Sequence, residues 1–210
     1  MTTPILNNKT AKDYATDQDV RWCPGCGDYS ILKQVQTVLA DEGLNNEDIV
    51  FISGIGCSSR FPYYMNTYGI HSIHGRAPAL VSGLKAVRPD LSVWMITGDG
   101  DSLSIGGNHL IHILRRNFDV NILLFNNEIY GLTKGQFSAA ADKGSKGKRG
   151  DVNQWKNIDS VSTAISLGGS FAARGFSGDR EQLVTLIKAG IKHPGCAVLD
   201  VVSPCVTFNN

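Results

Sequence analysis

The chain has 210 residues, 42% of them apolar, and its 20 Lys and Arg against 19 Asp and Glu leave a formal charge of +1 at pH 7. This composition excludes a disordered chain or a fibre, and the near-neutral charge argues against a general nucleic-acid-binding protein. No apolar run approaches the ~20 residues of a membrane-spanning helix and the N-terminus does not resemble a secretory signal, so we expect a cytoplasmic protein without a membrane segment.

The N-terminal part of the sequence predicts an arm followed by one domain. Residues 1–20 are mostly polar and predict an arm outside the core. No linker divides residues 21–210, which are expected to form a single domain. The first helix is predicted after a turn rich in Cys, Pro and Gly, with Asp28 or Ser30 as its N-cap and apolar residues recurring at helical spacing.

Four short apolar runs predict the strands of a sheet. They cover residues 49–53, 92–97, 120–125 and 197–202, and the first three open into loops rich in Gly, Asp or Asn. A helix is predicted over residues 110–116, between the second and third runs. Continuous apolar strands that alternate with helices indicate an α/β fold with a parallel sheet covered by helices on both faces. In such sheets ligands bind beyond the carboxyl ends of the strands, so we expect the site at that edge.

A change of character follows the third strand. Residues 138–157 lack an apolar period, and their basic, glycine-containing part at 142–151 predicts a mobile loop. Two interpretations of this loop stay open: an ordinary solvated surface, or a docking site for an acidic partner. Helices are then predicted over residues 159–167 and 179–192, the second beginning with Asp179 and a glutamine three residues later, as in a capping box.

The sequence GDGD that begins at Gly98 follows the second predicted strand, and Asn126 and Asn127 follow the third. Because the ends of neighbouring parallel strands are adjacent, Asp99 and the amide oxygen of Asn127 can converge on one cation. Oxygen ligands of this kind suit Mg²⁺, which completes its shell with water and phosphates, and the glycines let backbone N–H groups approach a pyrophosphate. A GDG sequence alone also fits an ordinary turn after a strand.

The five cysteines form a second constellation, and the 23 glycines gather partly around it. Cys23 and Cys26 form a CxxC turn, while Cys57 and Cys205 are single residues after predicted strands. Four thiolates could hold a zinc ion or a [4Fe–4S] cluster, and these alternatives stay open on spacing alone. A thioredoxin-like redox CxxC is a third possibility, but it would leave two cysteines unused. Cys196 is predicted to be a buried packing residue.

Several segments in order resemble the β subunits of 2-oxoacid:ferredoxin oxidoreductases, most of all their 2-oxoglutarate branch. The segments that carry this resemblance are residues 22–28, 54–64, 71–77, 98–110 and 125–136. The likeness runs from about residue 17 to 136 and resumes over residues 170–209. The GDG and Asn-Asn spacing is similar to the thiamine-diphosphate motif, and it implies the fold that binds the diphosphate side of that cofactor.

The resemblance implies a role for each matching residue. The implied Mg²⁺ ligands are Asp99, Asn127 and the carbonyl of Ile129. The residues implied to line the diphosphate are Gly98, Gly100, Asp101, Gly131 and Leu132. Those implied to contact the rest of the thiamine cofactor are Ile55, Gly56, Cys57, Ser58 and His74. The implied ligands of a [4Fe–4S] cluster are Cys23, Cys26, Cys57 and Cys205.

Two residues are implied to act on the substrate. Arg60 would face the carboxylate of the 2-oxo acid, for which its planar guanidinium is suited, although a surface ion pair is the plain alternative. His74 would bind a phosphate or substrate oxygen, and a structural role is the alternative for it.

The activity implied by the resemblance is oxidative decarboxylation of a 2-oxo acid, 2-oxoglutarate first, with coenzyme A to acyl-CoA and CO₂. Electrons would pass through the cluster to ferredoxin. The motifs cover the diphosphate side only, so an α subunit would supply the pyrimidine side in a hetero-oligomer.

The family's β subunits usually continue further, so we expect a shortened subunit or a fragment, and the basic segment departs from the family's pattern. A non-redox thiamine-diphosphate decarboxylase or synthase half with structural zinc, and a non-catalytic metal-binding module, are the alternatives.

Overall fold

A computed structural model describes residues 9–147 and 150–209. The strands of this part are, in chain order, β1 (Ile49–Ser53), β2 (Tyr68–His71), β3 (Ser92–Gly98), β4 (Val120–Asn126), β5 (Ile129–Tyr130), β6 (Gln136–Phe137), β7 (Phe171–Phe176) and β8 (Cys196–Val202). Six of them form one wholly parallel sheet in the order β2-β1-β3-β4-β8-β7, while β5 and β6 pair as a small antiparallel hairpin. The predicted α/β class and the four predicted strands are confirmed.

Helices cover both faces of the sheet. They are α1 (Asp28–Asp41), α2 (Ala77–Val87), α3 (Gly107–Arg116), α4 (Ser160–Ser166) and α5 (Arg180–Lys192). Helices α1 and α5 pack on one face, and α2, α3 and α4 pack on the other. The strand residues alternate between the two cores: Phe51 and Trp94 face α1, whereas Ile52 and Met95 face α2 and α3. Burial on both faces is why these strands are continuous apolar runs in the sequence.

The predicted polar arm over residues 1–20 is wrong at Tyr14. Residues 1–8 lie outside the described part of the chain, but Ala11–Tyr14 forms a short 3₁₀ turn and Tyr14 is fully buried against α1. Its hydroxyl donates to the carbonyl oxygens of Leu39, at 3.1 Å, and Leu44. A single aromatic residue thus anchors a polar segment, because its ring has a large apolar area and its hydroxyl finds partners in the core.

The predicted cap of α1 is also wrong, whereas that of α5 is confirmed. Gly27 occupies the N-cap position of α1 without a side-chain hydrogen bond, and the buried carboxylate of Asp28 instead accepts from the Ser203 hydroxyl at 3.3 Å. At α5, the Asp179 carboxylate accepts the backbone N–H of Gln182 at 3.0 Å. Asp28 and Asp179 are both of a residue type that favours the N-cap position. Asp28, however, lies beside the predicted site and lines its cavity.

The segment predicted as a mobile loop is packed at its beginning. Ala140 and Ala141 are buried, and the N–H groups of Gly144 and Gly147 donate to later carbonyl oxygens of the same segment at 2.8 Å. Within the predicted basic part, residues 148 and 149 lie outside the described residues. Ala140 and Ala141 come just before the basic part at residues 142–151, whose mobility stays a prediction. No helix among the described residues has the length and apolar character needed to cross a bilayer.

Candidate active site

A cavity of about 360 Å³ lies at the carboxyl ends of β1, β3 and β4. It is bordered by the loops that follow these strands and by the β5–β6 hairpin. The predicted site residues that line it are Ile55, Gly56, Cys57, Ser58, His74, Gly98, Asp99, Gly100, Asp101, Asn127, Ile129, Gly131 and Leu132. Residues that line it without having been predicted are Asp28, Phe125, Tyr130, Thr133 and Gln136. The fold thus brings together the loops that the sequence placed at one edge of the sheet.

Asp99 stands directly after β3 with only 2% of its surface exposed. Its carboxylate accepts the hydroxyl of Ser138, and the nearby backbone N–H groups of Asn127 and Gly100 act to lower its pKa. Burial nevertheless raises the pKa of Asp99 to about 7, because it outweighs the polar contacts that lower this pKa. Among the described residues no Lys or Arg pairs with this carboxylate. A buried carboxylate in this state favours a bound cation, which would supply the missing positive charge.

Asn127 and Ile129 complete the predicted oxygen donors at this end of the cavity. The side-chain oxygen of Asn127 accepts the backbone N–H of Ile129 at 3.0 Å, which ties the loop between β4 and β5 into a compact turn. Within residues 9–147 and 150–209, no three His, Cys, Asp or Glu side chains gather as ligands of one metal ion. A Mg²⁺ site here would rest on one carboxylate with amide and carbonyl oxygens, and Mg²⁺ takes the rest of its shell from water and phosphates.

Asp101 lies in the same loop but has a different environment. Its buried carboxylate accepts the backbone N–H groups of Ile55 at 3.1 Å and Gly75 at 2.7 Å, and the Thr97 hydroxyl at 2.8 Å. A Cβ atom on Gly54 would lie 2.0 Å from this carboxylate, so glycine is needed there. The carboxylate oxygens of Asp101 thus hold together three loops around the cavity, and the predicted contact of this residue with a diphosphate stays a prediction.

His74 lies against this carboxylate on the wall of the cavity. Its Nδ1 is 2.8 Å from Oδ1 of Asp101, although the two are not aligned as a hydrogen bond, and the side chain is 32% exposed. Tyr130 covers the same wall, with its ring centroid 6.1 Å from that of His74 and its hydroxyl donating to the Gly100 carbonyl at 3.1 Å. The imidazole is thus oriented by a buried carboxylate and accessible from the cavity.

Of the predicted cluster cysteines, Cys57 lines the other end of the cavity and Cys205 lies near it. A Cβ atom on Gly131 would be 3.3 Å from the sulfur of Cys57 and 3.9 Å from that of Cys205. Burial, the Asp28 carboxylate and the charges of Cys205 and Cys23 raise the pKa of Cys57 to about 11. Burial, Asp28 and Cys57 likewise raise the pKa of Cys26 to about 12. Thiolates can persist in such a site only beside positive charge, so a bound iron–sulfur centre fits this environment.

Cys196 lies apart from this group and confirms its predicted packing role, since it is fully buried in the core beneath α3.

Arg60, by contrast, does not line the cavity. Residues Ser58–Tyr64 form a 3₁₀ turn that carries Arg60 into a separate polar groove, where its Nε donates to the Tyr64 hydroxyl at 2.9 Å. Its guanidinium also lies 5.4 Å from the ring centroid of Tyr63. Arg60 thus lies outside this cavity, and its predicted contact with the substrate carboxylate stays a prediction.

Comparison with known proteins agrees with this geometry. Residues 54–201 match the family described as thiamine pyrophosphate enzyme, C-terminal TPP binding domain. The chain superimposes with a TM-score of 0.95 on a 2-oxoglutarate:ferredoxin oxidoreductase from Magnetococcus marinus, solved with 2-oxoglutarate, coenzyme A and succinyl-CoA bound. The two are 37% identical, over 99% of this chain and 72% of that one. The chain belongs to the 2-oxoacid:ferredoxin oxidoreductase family of thiamine pyrophosphate enzymes.

Two curated members of the 2-oxoacid:ferredoxin oxidoreductase family are also similar. The 2-oxoglutarate oxidoreductase subunit KorB of Mycobacterium tuberculosis is 54% identical over 200 residues, which make up 95% of this chain and 54% of that protein. The 2-oxoacid:ferredoxin oxidoreductase 1, subunit beta, of Aeropyrum pernix is 44% identical over 206 residues, 98% of this chain and 65% of that protein. The chain thus spans about half to two thirds of the length of these relatives.

Among the side chains at this site that were not predicted to act there, Ser138 and Asp28 lie beside the proposed metal ligands. Ser138, which donates to Asp99, begins the segment that was predicted to be a loop, and nothing in its sequence context indicates the contact. Asp28 lines the cavity beside the cysteines, and burial raises its pKa to about 6. Its position two residues after Cys26 was a usable signal, but its residue type and place before a helix favoured the capping interpretation.

Proposed function

We propose that the chain is the β subunit of a 2-oxoacid:ferredoxin oxidoreductase, with 2-oxoglutarate as the preferred oxo acid and coenzyme A as acyl acceptor. The relatives named for 2-oxoglutarate and the neighbour solved with 2-oxoglutarate and succinyl-CoA support this substrate class. One observation carries the proposal: Cys57 lines the same cavity as Asp99 and Asn127. A thiamine diphosphate held there would lie next to an electron acceptor held by the cysteines.

At the diphosphate end, Mg²⁺ would be held by the Asp99 carboxylate, the Asn127 amide oxygen and the Ile129 carbonyl. The hydroxyl of Ser138 holds Asp99 in place, and the glycines on either side of Asp99 leave room for the phosphates. The cofactor, when bound, supplies the carbon nucleophile that attacks the 2-oxo acid and the conjugated system that takes up electrons as CO₂ leaves. The chain's part is to bind the diphosphate, orient the ring and keep water out.

His74 is proposed to bind a phosphate or substrate oxygen. Its Nδ1 faces the Asp101 carboxylate, and this neighbour orients the ring so that the remaining nitrogen is available to a bound group. The hairpin residues Leu132, Thr133 and Gln136 form one side of the cavity and would limit access of water to the reacting carbon.

At the other end, Cys23, Cys26, Cys57 and Cys205 would hold a [4Fe–4S] cluster, which supplies one-electron acceptance and passes electrons to ferredoxin. All five cysteines are free thiols, which suits the reducing cytoplasm that we propose as its compartment. An α subunit is proposed to complete the site in a hetero-oligomer, because residues 54–201 correspond to one thiamine-binding domain and the pyrimidine half of the cofactor needs a second.

The test uses the protein purified without oxygen together with its partner subunit. We expect four iron atoms per chain and reduction of a viologen dye that requires 2-oxoglutarate, coenzyme A and thiamine diphosphate, with slower reduction on pyruvate. Cys57→Ser should lose iron and dye reduction, while Cys196→Ala, a matched change outside the cysteine group, should retain both. Thiamine-dependent release of CO₂ by a zinc-containing protein without dye reduction would instead establish the non-redox alternative.

A further inference from the structure

Residues 203–209, which we call the C-terminal strap, follow β8 and contact both proposed cofactor sites. The strap contacts residues 126–129, which we call the metal-binding loop because they include the proposed Mg²⁺ ligands Asn127 and Ile129. There the N–H of Ser203 donates to the Asn126 carbonyl at 2.8 Å. The side-chain amide of Asn209 donates to the Asn127 carbonyl at 2.9 Å. Towards the cysteines, the strap contains Cys205, and the Thr207 hydroxyl lies 3.5 Å from the sulfur of Cys23.

The strap is closed on itself, so its two ends do not move independently. The N–H of Asn209 donates to the Cys205 carbonyl at 2.9 Å, and these residues also form an isolated antiparallel bridge. Phe208 packs on the turn of the hairpin, where a Cβ on Gly135 would lie 3.3 Å from its ring. The position of Cys205 therefore helps to set the position of the Asn209 amide.

The loop that Asn209 contacts has a strained backbone. Glu128 has φ of +61°, a left-handed conformation that is uncommon for a residue other than glycine. Its carbonyl accepts the Ser138 N–H at 3.1 Å, and the preceding peptide is held by the bond from Asn209 to the Asn127 carbonyl. The same short loop carries the proposed Mg²⁺ ligands Asn127 and Ile129. Its orientation thus depends on a side chain of the strap.

We propose that Asn209 is a positioning residue through which occupancy of the cysteine site raises the affinity of the metal-binding loop for Mg²⁺ and thiamine diphosphate. The inference rests on the proposed function. An iron–sulfur cluster would fix Cys205, the closed strap would fix Asn209, and Asn209 would hold the strained peptide beside Asn127. By thermodynamic linkage the cofactor must stabilise the cluster by the same factor.

The first test measures the dissociation constant of thiamine diphosphate at saturating Mg²⁺ by calorimetry, on the assembled protein with and without its cluster. Loss of one hydrogen bond to the loop should weaken binding by about threefold to tenfold in Asn209→Ala. Removing the cluster should weaken binding by a similar factor in the wild type and by much less in this variant. Asn209→Gln retains the donor and should recover part of the affinity. Asn45→Ala, at an exposed asparagine whose side-chain amide donates to Asp48, should behave as wild type.

The second test needs no cofactor affinity. Hydrogen exchange of the amides at residues 126–130 should be faster in Asn209→Ala than in wild type, in the presence and absence of thiamine diphosphate. If exchange and the response to the cluster are the same in both proteins, the inference is wrong even where the cofactor binds. If neither protein binds thiamine diphosphate, the proposed function and the coupling are both wrong, and exchange still decides whether Asn209 holds the loop.

Discussion

Replacing Asp99 with asparagine should stabilise the cofactor-free protein above pH 7 while abolishing its binding of Mg²⁺ and thiamine diphosphate. The carboxylate is buried and its pKa is raised by burial from 3.8 to about 7. Because the folded state holds a proton on Asp99 more tightly than the unfolded state, ionisation opposes folding. This penalty is absent below pH 4, grows as the pH rises towards 7 and is constant above it.

A shift from 3.8 to about 7 corresponds to a penalty of about 4 kcal/mol at pH 8. Asparagine removes the charge, but its NH₂ group would face N–H donors that now bond to the carboxylate, and this mismatch costs ~1–3 kcal/mol. The net gain expected at pH 8 is therefore about 1–3 kcal/mol in the free energy of unfolding. This gain in the free energy of unfolding should be smaller by about 2–3 kcal/mol at pH 5 than at pH 8, because at pH 5 the wild-type carboxyl is mostly protonated in the folded state.

The assay is urea unfolding with a chelator present, followed by tryptophan fluorescence at pH 5 and pH 8, since Trp22 and Trp94 are buried. Asp101→Asn is the matched control in the same loop. Its carboxylate already accepts three protein donors, so the substitution should destabilise at both pH values by about 2–4 kcal/mol. A difference between Asp99→Asn and wild type that does not change with pH would refute the reasoning, as would a variant less stable than wild type at pH 8.

Three further outcomes are expected. Gly54→Ala should lower the melting temperature sharply and weaken thiamine diphosphate binding, because its Cβ would lie 2.0 Å from the Asp101 carboxylate, whereas Gly107→Ala, in open space, should be neutral or mildly stabilising. Gly131→Ala should lower the iron content per chain, since its Cβ would lie 3.3 Å from a cysteine sulfur. Asp159→Asn should destabilise by under about 1 kcal/mol at pH 7, because hydrogen bonds from the N-terminus of α4 and an arginine hold the pKa of Asp159 at about 2. Urea unfolding should show this difference unchanged above pH 4 and lost as the pH falls towards 2.

The central strands and the edge that carries the cavity could be predicted because burial on both faces leaves an unmistakable apolar run, as in β3 and β4. Strand β2 gave no such signal, since all of its residues are exposed at the edge of the sheet. Strand β7 contains Arg174, whose guanidinium pairs with buried Asp200 at 2.8 Å, a contact between distant parts of the chain. Helix α2 contains Pro78 and Gly83, which weaken the helical pattern.

The site residues that could be predicted are those whose position follows from the loop that carries them at the end of a strand. Asp99 and Asn127 follow neighbouring strands and meet in the cavity, as parallel pairing requires. The role of Arg60 was implied by the family resemblance, and the 3₁₀ turn at Ser58–Tyr64 places its side chain against tyrosine rings in another groove. Ser138 reaches Asp99 across 39 positions in the sequence, and such a contact leaves no local pattern.

The sequence cannot separate the two aspartates of the GDGD loop, yet their surroundings give them opposite roles. Asp101 accepts N–H donors from two loops and an O–H donor from strand β3, so these contacts stabilise its charge and hold the loops together. Asp99 and Asp28 are equally buried but keep raised pKa values of about 7 and 6, which means that the fold leaves their charges uncompensated. Both line the cavity, one near each proposed cofactor. A cation bound beside Asp99 would relieve this penalty there, so binding of Mg²⁺ should stabilise the fold beyond what the new contacts alone provide.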